Sequence, residues 1–562
     1  MISFYIDLER GATKVLHKTI KGFPLGVVLL FLLSIFPLLS LIPPGIPLTH
    51  DGQDHLARIA NFYMGLKDGI MIPRWAANLN WGYGHPILMF LYPLPSYSAS
   101  LFHFLGASLT DSLKLVFAFS FVLSGFAMYY WIKNVFNHEA GLIAGFLYMF
   151  APYRFVDLYV RGAIGEHTAF IFVPLIALSM LKLAKEYKVV WMIIYAFSIA
   201  LLFLSHNALS IMFLPFCVFY AGFLIFTHPK KSRLLLLYSL GALWGVGLSA
   251  FFLFPAFFEG KYTLRDIVTR GEYATRFVEN PFRFFYSPWN YGGSGQFSVE
   301  LGILQIVGVV SAAILLLLTK AKKMKIFIGA CLLFFLASLF LMLSYSQFLY
   351  QTFSVLQKFQ FPWRFLSMSI FFASVLCAFA VYLINDKRLR FMIFVIVAIL
   401  GIITYYPQFQ ANGYVSRRDS FYFSIYEGTT DTGESAPIWS VRFMEKMADR
   451  QIEIVEGSGV ITQISRDTRS HIYTIDANET VRVLENTLFF PGWDVLVDGH
   501  KVDIQFQDPQ FRGLMTFFVE PGTHSIRVVF RETKLRSISN AITILALTGI
   551  IPLILLRKRI RL

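Results

Sequence analysis

The chain has 562 residues, of which 56% are hydrophobic and 15% charged, and it carries a net charge of +15. Soluble globular domains carry about 25% charged residues, so this composition excludes an ordinary soluble enzyme. Residues 407–536 hold 14 Lys and Arg against 18 Asp and Glu. The basic excess therefore lies wholly in the rest of the chain, in short links, and is not a nucleic-acid footprint.

Repeated apolar runs of roughly 18 or more residues mark helices that cross a bilayer. The first, 24–43, follows Lys14, Lys18 and Lys21. It is long and has no small-residue cleavage site, so it reads as a retained signal-anchor span. Four more candidates precede residue 184: 86–107, 113–132, 139–153 and 168–183. The run 86–107 is interrupted by Pro86, Pro93 and Pro95 and is expected not to cross fully. Residues 189–227 form two spans broken at Ser205-His206-Asn207. Further spans are expected near 234–257, 299–319, 326–345, 364–384, 391–406 and 537–556.

Basic links at 182–188, 228–233, 320–325, 385–390 and 557–562 separate these runs. Short Lys/Arg-rich loops stay in the cytoplasm. That rule places both termini inside, predicts 12 full spans with 13 or 14 as alternatives, and puts 407–535 outside. Within 407–535, the alternating stretches His471–Ile475, Thr480–Leu484, Trp493–Val497 and Ser525–Phe530 predict strands. Asp498-Gly499 and Pro521-Gly522 predict turns. The expected architecture is thus a polytopic, helical (all-α) membrane domain over 1–406 with a first outer loop at 44–85. A C-terminal extracytoplasmic β-rich domain follows at 407–535, then a last helix and basic tail at 536–562. The three cysteines, Cys217, Cys331 and Cys377, fall inside apolar runs and cannot staple the outer domain.

The polar residues collect at the outer ends. Asp51, Asp54, His55 and Arg58 stand at i, i+3, i+4 and i+7, one face of a helix. A helix start alone accounts for Asp51 and Asp54, but not for His55 and Arg58 continuing the stripe. Arg161 and Glu166 lie between two apolar runs, His206 at a hairpin break, and Arg364 at the start of a span in Gln360-Phe-Pro-Trp-Arg-Phe. Each has a bland alternative: interface anchor for Trp363 and Arg364, hairpin cap for His206, solvated face for Lys261, Arg265, Asp266 and Arg270. Together they predict an outward polar pocket for a lipid-linked, phosphate-bearing substrate.

Several motifs carry a family resemblance. They are His50-Asp51…His55-Leu-Ala-Arg58-Ile, Gly69-Ile-Met-Ile-Pro73-Arg74-Trp75, Gly82-Tyr83-Gly84-His85-Pro86 and Tyr92-Pro-Leu-Pro95. Arg161-Gly162…Glu166, Leu204-Ser-His-Asn207, Gln360–Phe365 and Phe490-Pro-Gly-Trp…Asp498-Gly499 extend them. The chain resembles the GT-C superfamily of polyprenyl-phosphate-sugar-dependent glycosyltransferases. More closely it resembles the multispanning membrane proteins named 6-pyruvoyl-tetrahydropterin synthase-related, although no pterin chemistry is visible. The resemblance implies transfer of a sugar from an undecaprenyl- or dolichyl-phosphate donor to a glycan, lipid or protein acceptor outside the cytoplasm, with inversion. It implies Asp51 as catalytic base, with Asp54 as the alternate. His55, Arg58, Arg161, Glu166, His206 and Arg364 are the expected substrate-binding residues. Some relatives with an acidic pair use a divalent metal such as Mg or Mn. Asp51, Asp54 and His55 are the candidate ligands, but the spacing is not D-x-D and the metal stays open. The competing classes are a lipid or oligosaccharide transporter or flippase, and a non-catalytic cell-envelope assembly protein. The plasma membrane is the expected location.

Overall fold

The computed structural model describes residues 25–293 and 296–552. The basic N-terminal segment with Lys14, Lys18 and Lys21 and the tail 557–562 lie outside the described residues. Among the described residues, seven helices are long and apolar enough to cross a membrane: Leu109–Val135, Ile164–Glu186, Asn207–Thr227, Lys322–Met342, Pro362–Tyr382, Lys387–Phe409 and Lys534–Pro552. An eighth span is possible if Lys231–Leu248 and Ala250–Phe258, bent by 74°, act as one. Three apolar helices are shorter: Leu25–Leu41, Val189–Ser205 and Ile303–Leu318.

Of the 12 expected full spans, seven reach that length among the described residues, one is the bent pair, and three are the shorter apolar helices. Crossing the hydrocarbon core takes about 20 helical residues. The run 139–153 yields only His138–Met149, 12 residues enclosed almost entirely by protein. The run 86–107 breaks into Ile87–Phe90 and Leu94–Phe104, as its prolines require. The description all-α holds for the membrane part only.

Caps set several helix starts. The Ser108 hydroxyl accepts from the Asp111 amide at 3.0 Å, and the Asp386 carboxylate accepts from the Arg388 and Leu389 amides. These interactions satisfy backbone donors left free at an N-terminus. Burial then sorts the helices. In Pro362–Tyr382, 89% of the apolar stretch is buried, against 17% in Lys534–Pro552. The first is the centre of the bundle; the second faces lipid. At that centre Phe371 stacks on Trp131 with ring centroids 5.3 Å apart.

The C-terminal region forms two antiparallel sheets. The five-stranded sheet runs, in spatial order, Gly459–Arg466, Ser470–Ala477, Gly522–Phe530, Trp493–Val497 and His500–Val502. The three-stranded sheet runs Ile452–Glu456, Val481–Leu488 and Leu514–Val519. All four predicted strand stretches lie in or overlap these strands. Asp498 and Gly499 both take positive φ, +49° and +82°, as a two-residue hairpin turn demands. Val481–Leu488 is buried at every position, because its outer face is covered too.

The first outer loop does not float free of these sheets. Trp75 packs edge-on to Trp493 at 5.4 Å. The Leu488 amide donates to the Tyr83 carbonyl at 3.0 Å, and Arg74 pairs with Glu532 at 3.0 Å. The segment between the last bundle helix and the sheets threads the same loop, with Tyr426 donating its amide to Asn78 and Asn80 donating to Gly428. One continuous apolar core therefore joins the first outer loop to the β-rich region.

Candidate functional site

The stripe Asp51-Asp54-His55-Arg58 is helical as its spacing predicts. Asp51 is the N-cap position of Gly52–Lys67, yet its side chain accepts no capping hydrogen bond. What fixes Asp51 is backbone. His50 donates its amide to Val160 at 3.0 Å, and Asp51 donates to Arg161 at 2.9 Å. This zipper joins the first outer loop to the π-helical turn Val156–Arg161, a geometry frequent at functional sites. The turn ends at Gly162, φ +70°, where a Cβ would lie 2.5 Å from the Thr49 hydroxyl oxygen. No other residue fits that approach without displacing the loop that carries Asp51.

Arg161 and Glu166 form the centre of a buried ion network. One guanidinium nitrogen of Arg161 donates to Asp157 at 2.5 Å, Glu166 at 2.9 Å and the Tyr153 hydroxyl at 3.1 Å. Glu166 also accepts from the hydroxyls of Tyr153 and Ser367, each at 2.6 Å. Arg364 lies 3.6 Å from Glu166 and donates from Nη1 to the Phe359 carbonyl at 2.8 Å. Glu166 and Asp157 are wholly buried. Carboxylates and guanidinium groups face one another here, the pairing that burial of charge requires. Trp363 covers it, with the Arg161 guanidinium 4.5 Å from its ring centre.

His206 sits beside this network. Its Nδ1 accepts the Leu209 amide at 3.2 Å, so the hairpin-cap role is real. Its ring also lies 5.1 Å from that of Tyr92. The Tyr92 hydroxyl is pushed up to about 12, chiefly by burial, and it feels Arg58, Asp51, Arg364 and Arg161 in turn. Tyr92 thus lies among the expected base and the expected phosphate cations. A Cβ on Gly165 would strike this ring at 2.0 Å, so glycine there is what admits Tyr92.

The other half of the stripe faces a different partner. Arg58 donates from Nε to the Thr430 hydroxyl at 2.9 Å and from Nη2 to the Thr430 carbonyl. Its Nη1 lies 3.0 Å from His55 Nδ1. Burial, and then the Arg58 charge, hold His55 well below its usual pKa, so the ring is neutral and Nδ1 is the acceptor. Asp54 accepts from the Tyr426 hydroxyl at 3.0 Å. Burial raises its pKa, against the opposing pull of Arg58 and Tyr426. The adjacent Asp431 accepts from the Gly433 and Ser435 amides and faces His85 at 3.4 Å.

The eight expected residues therefore form two neighbouring sets. Arg161, Glu166, His206 and Arg364 are together; Asp54, His55 and Arg58 are joined to the segment 426–431; Asp51 stands between them. Tyr92, Tyr153, Asp157, Ser367, Tyr426, Thr430 and Asp431 complete the site and are not among the sequence candidates. Tyr92 lies within a quoted motif, and Tyr153 and Asp157 precede Arg161 by one or two helical turns. Thr430 and Asp431 carry no local signal, since only the tertiary path brings them to Arg58 and His85.

The donor set does not fit a divalent metal. With Arg58 donating to His55 Nδ1, the proton of the neutral ring sits on Nε2, leaving no lone pair for a cation. Asp54 is already engaged by Tyr426. Among the described residues no group of three or more His, Cys, Asp or Glu side chains is placed to hold a metal ion.

A buried ion network at one end of an apolar helix bundle that carries a β-rich region defines a polytopic membrane protein. Within that class the chain belongs to the family of the bacterial membrane protein YfhO, which matches residues 80–426. It is 30% identical over 251 residues to an uncharacterized protein of Lactococcus lactis subsp. cremoris (strain MG1363), an alignment taking in 43% of this chain and 41% of that one. The chain thus spans less than half the length of that curated relative. Among solved structures, the arabinofuranosyltransferase AftD from Mycobacteria aligns at 12% identity over 69% of this chain and 27% of that one, with a TM-score of 0.48. The Archaeoglobus fulgidus oligosaccharyltransferase in its apo form aligns at 14% identity over 74% of this chain and 60% of that one, with a TM-score of 0.40.

Proposed function

We propose that this protein is a membrane glycosyltransferase of the GT-C kind, moving a sugar from a polyprenyl-phosphate donor to an acceptor on the face that carries the β-rich region. One observation carries the reading: a carboxylate free of side-chain hydrogen bonds, Asp51, is tied by backbone to an arginine network whose outer member, Arg364, commits only Nη1 to a hydrogen bond. That pairing supplies a base and a phosphate-binding cation at one helix end. Asp51 takes the proton of the acceptor hydroxyl as its oxygen attacks the anomeric carbon. The bond from that carbon to the phosphate oxygen breaks, and the lipid phosphate leaves with its charge held by Arg364. Attack opposite the leaving group inverts the anomeric centre. Arg161 and Glu166 hold Arg364 in place, and Arg58 keeps Asp54 and His55 against the segment 426–431. Asp54 is the alternate base, and burial raises the pKa of its carboxylate. No step runs through a metal. The sugar, the acceptor, the polyprenyl chain length and a cytoplasmic placement of both termini belong to the same proposal.

The test uses full-length protein in liposomes with a panel of polyprenyl-phosphate sugars and extracted envelope acceptors. Donor consumption is expected to fall by about 100-fold or more in Asp51→Asn, the range for a lost general base. Consumption unchanged in both Asp51→Asn and Asp54→Asn sinks the proposal. The 74° bend between Lys231–Leu248 and Ala250–Phe258 favours a second reading, lipid transport, because broken helices mark many transporters. Movement of a labelled sugar lipid between leaflets with its sugar bond intact would select that reading.

A further inference from the structure

At the far end of the bundle from Glu166, the structure contains a concave pocket unrelated to the site above. Glu166 and Glu186 stand 20 residues apart in one span, and about 1.5 Å of rise per residue puts them roughly 30 Å apart. The pocket lies between the ends of helices Phe172–Glu186, Leu214–Thr227 and Lys231–Leu248 and has a cavity volume of about 410 Å³, open to solvent on one side. Its floor is apolar, formed by Leu181, Ala184 and Leu224. Its rim carries Lys185, His228 and Lys230.

The charge around it has one sign. The two links 182–188 and 228–233 contain six Lys and Arg and one acid, Glu186. Glu186 is committed elsewhere, to Lys182 at 3.0 Å, Lys188 at 2.8 Å and the Trp191 indole at 3.1 Å. No carboxylate lines the pocket. Tyr187 shapes the rim. It adopts φ +49°, a left-handed conformation that a non-glycine residue rarely takes. The Lys230 ammonium and the Arg233 guanidinium lie 5.8 and 4.9 Å from the centre of its ring.

Orientation by positive charge needs basic loops, but it needs no cavity. A free phosphate or nucleotide needs cations, but it gains nothing from a leucine floor. An amphiphile with a negative head uses both. Basic pockets between helices at a membrane surface bind anionic lipid heads. We propose that this pocket holds the head group of an anionic glycerophospholipid, its phosphate at Lys185 and Lys230 and its upper acyl chain along Leu181 and Leu224. This site is independent of the glycosyltransferase reading.

The experiment is native mass spectrometry of the full-length protein released from micelles containing phosphatidylglycerol or phosphatidylcholine. Wild type is expected to retain phosphatidylglycerol in preference. Each surface cation contributes about a fivefold preference for an anionic lipid, so Lys185→Gln with Lys230→Gln is expected to bring the two lipids near parity. Both lysines are exposed, and an unchanged melting temperature checks that the variant folds. Lys501→Gln, an exposed lysine of the β-rich region, is expected to leave the preference intact. Ala184→Leu fills the floor and keeps every charge; it is expected to reduce retention as well. An equal preference in the double variant and wild type overturns the proposal. So does displacement of the lipid by millimolar inorganic phosphate, which would make the pocket a site for a free anion.

Discussion

Two glutamates, Glu166 in the bundle and Glu485 in the β-rich region, are both fully buried, and they are kept charged in different ways. Glu166 accepts from both Tyr153 and Ser367, pairs with Arg161 at 2.9 Å and has Arg364 at 3.6 Å. Glu485 accepts on one oxygen from His471 at 2.9 Å and Thr487 at 3.0 Å, with Arg466 further off at 3.9 Å. Guanidinium groups never lose their proton in proteins. The first carboxylate is locked, as a scaffold for a site must be. The second is held by an imidazole and a hydroxyl on one oxygen, with its guanidinium only at 3.9 Å, so acid should change the β-rich region before it changes the bundle.

The largest effect should come from breaking the locked cluster. Arg161→Ala leaves Asp157 and Glu166 buried with one fewer cation, and removing one partner of a buried ion network costs about 3–5 kcal/mol. Thermal unfolding in detergent is expected to show a large fall in melting temperature, and Arg161→Lys a smaller one, since lysine is a point charge without the fork. A melting temperature equal to wild type in Arg161→Ala would remove the distinction between the two glutamates.

Gly162→Ala comes next. The positive φ alone costs an alanine about 1–3 kcal/mol, and the Cβ meets Thr49 at 2.5 Å. Because Thr49 adjoins His50 and Asp51, the loss of donor consumption in the liposome assay is expected to exceed what the stability change explains. Equal losses in stability and activity would show that this glycine serves the fold alone.

How much of this was legible in the sequence follows from range. The stripe Asp51-Asp54-His55-Arg58 could be read because helical spacing is local, and the β-strands because alternation is local. The break at 86–107 was legible from Pro86, Pro93 and Pro95. The strap from Tyr426 to Asp431 was not, since Thr430 meets Arg58 across 372 residues, and nothing in its composition marks that meeting. The run 139–153 was overread for a related reason. Hydropathy cannot distinguish a helix that faces lipid from one such as His138–Met149, which is apolar because protein surrounds it.

The third prediction tests the histidine-held carboxylate through pH. Burial alone would raise the Glu485 pKa, but the hydrogen bond and charge of His471, with Arg466, hold it below the usual value. A depressed acid stabilises the fold above its unfolded pKa of about 4.3, and that contribution is lost as pH falls through the lower folded value. Glu485→Gln should therefore cost most near neutrality, and the variant and wild type should converge once pH falls below the depressed folded value. Tryptophan fluorescence is a suitable reporter, since Trp493 lies 5.4 Å from His471. A gap that stays constant from neutral to acid pH would place Glu485 with Glu166, as a locked group.

The smallest effect is expected at a pair whose geometry is as good as any in the molecule. Arg512 donates two hydrogen bonds to Glu445, both at 2.8 Å, but the side chains are 38% and 70% exposed. Water already solvates both charges there, salt screens them, and holding two long side chains together costs entropy. Arg512→Ala should leave the melting temperature unchanged within scatter, at low salt and at high salt alike. The contrast with Arg161→Ala isolates burial as the variable, because both arginines make short contacts to carboxylates. A clear loss for Arg512→Ala at low salt would mean that contact geometry, and not removal from water, sets the value of an ion pair in this protein.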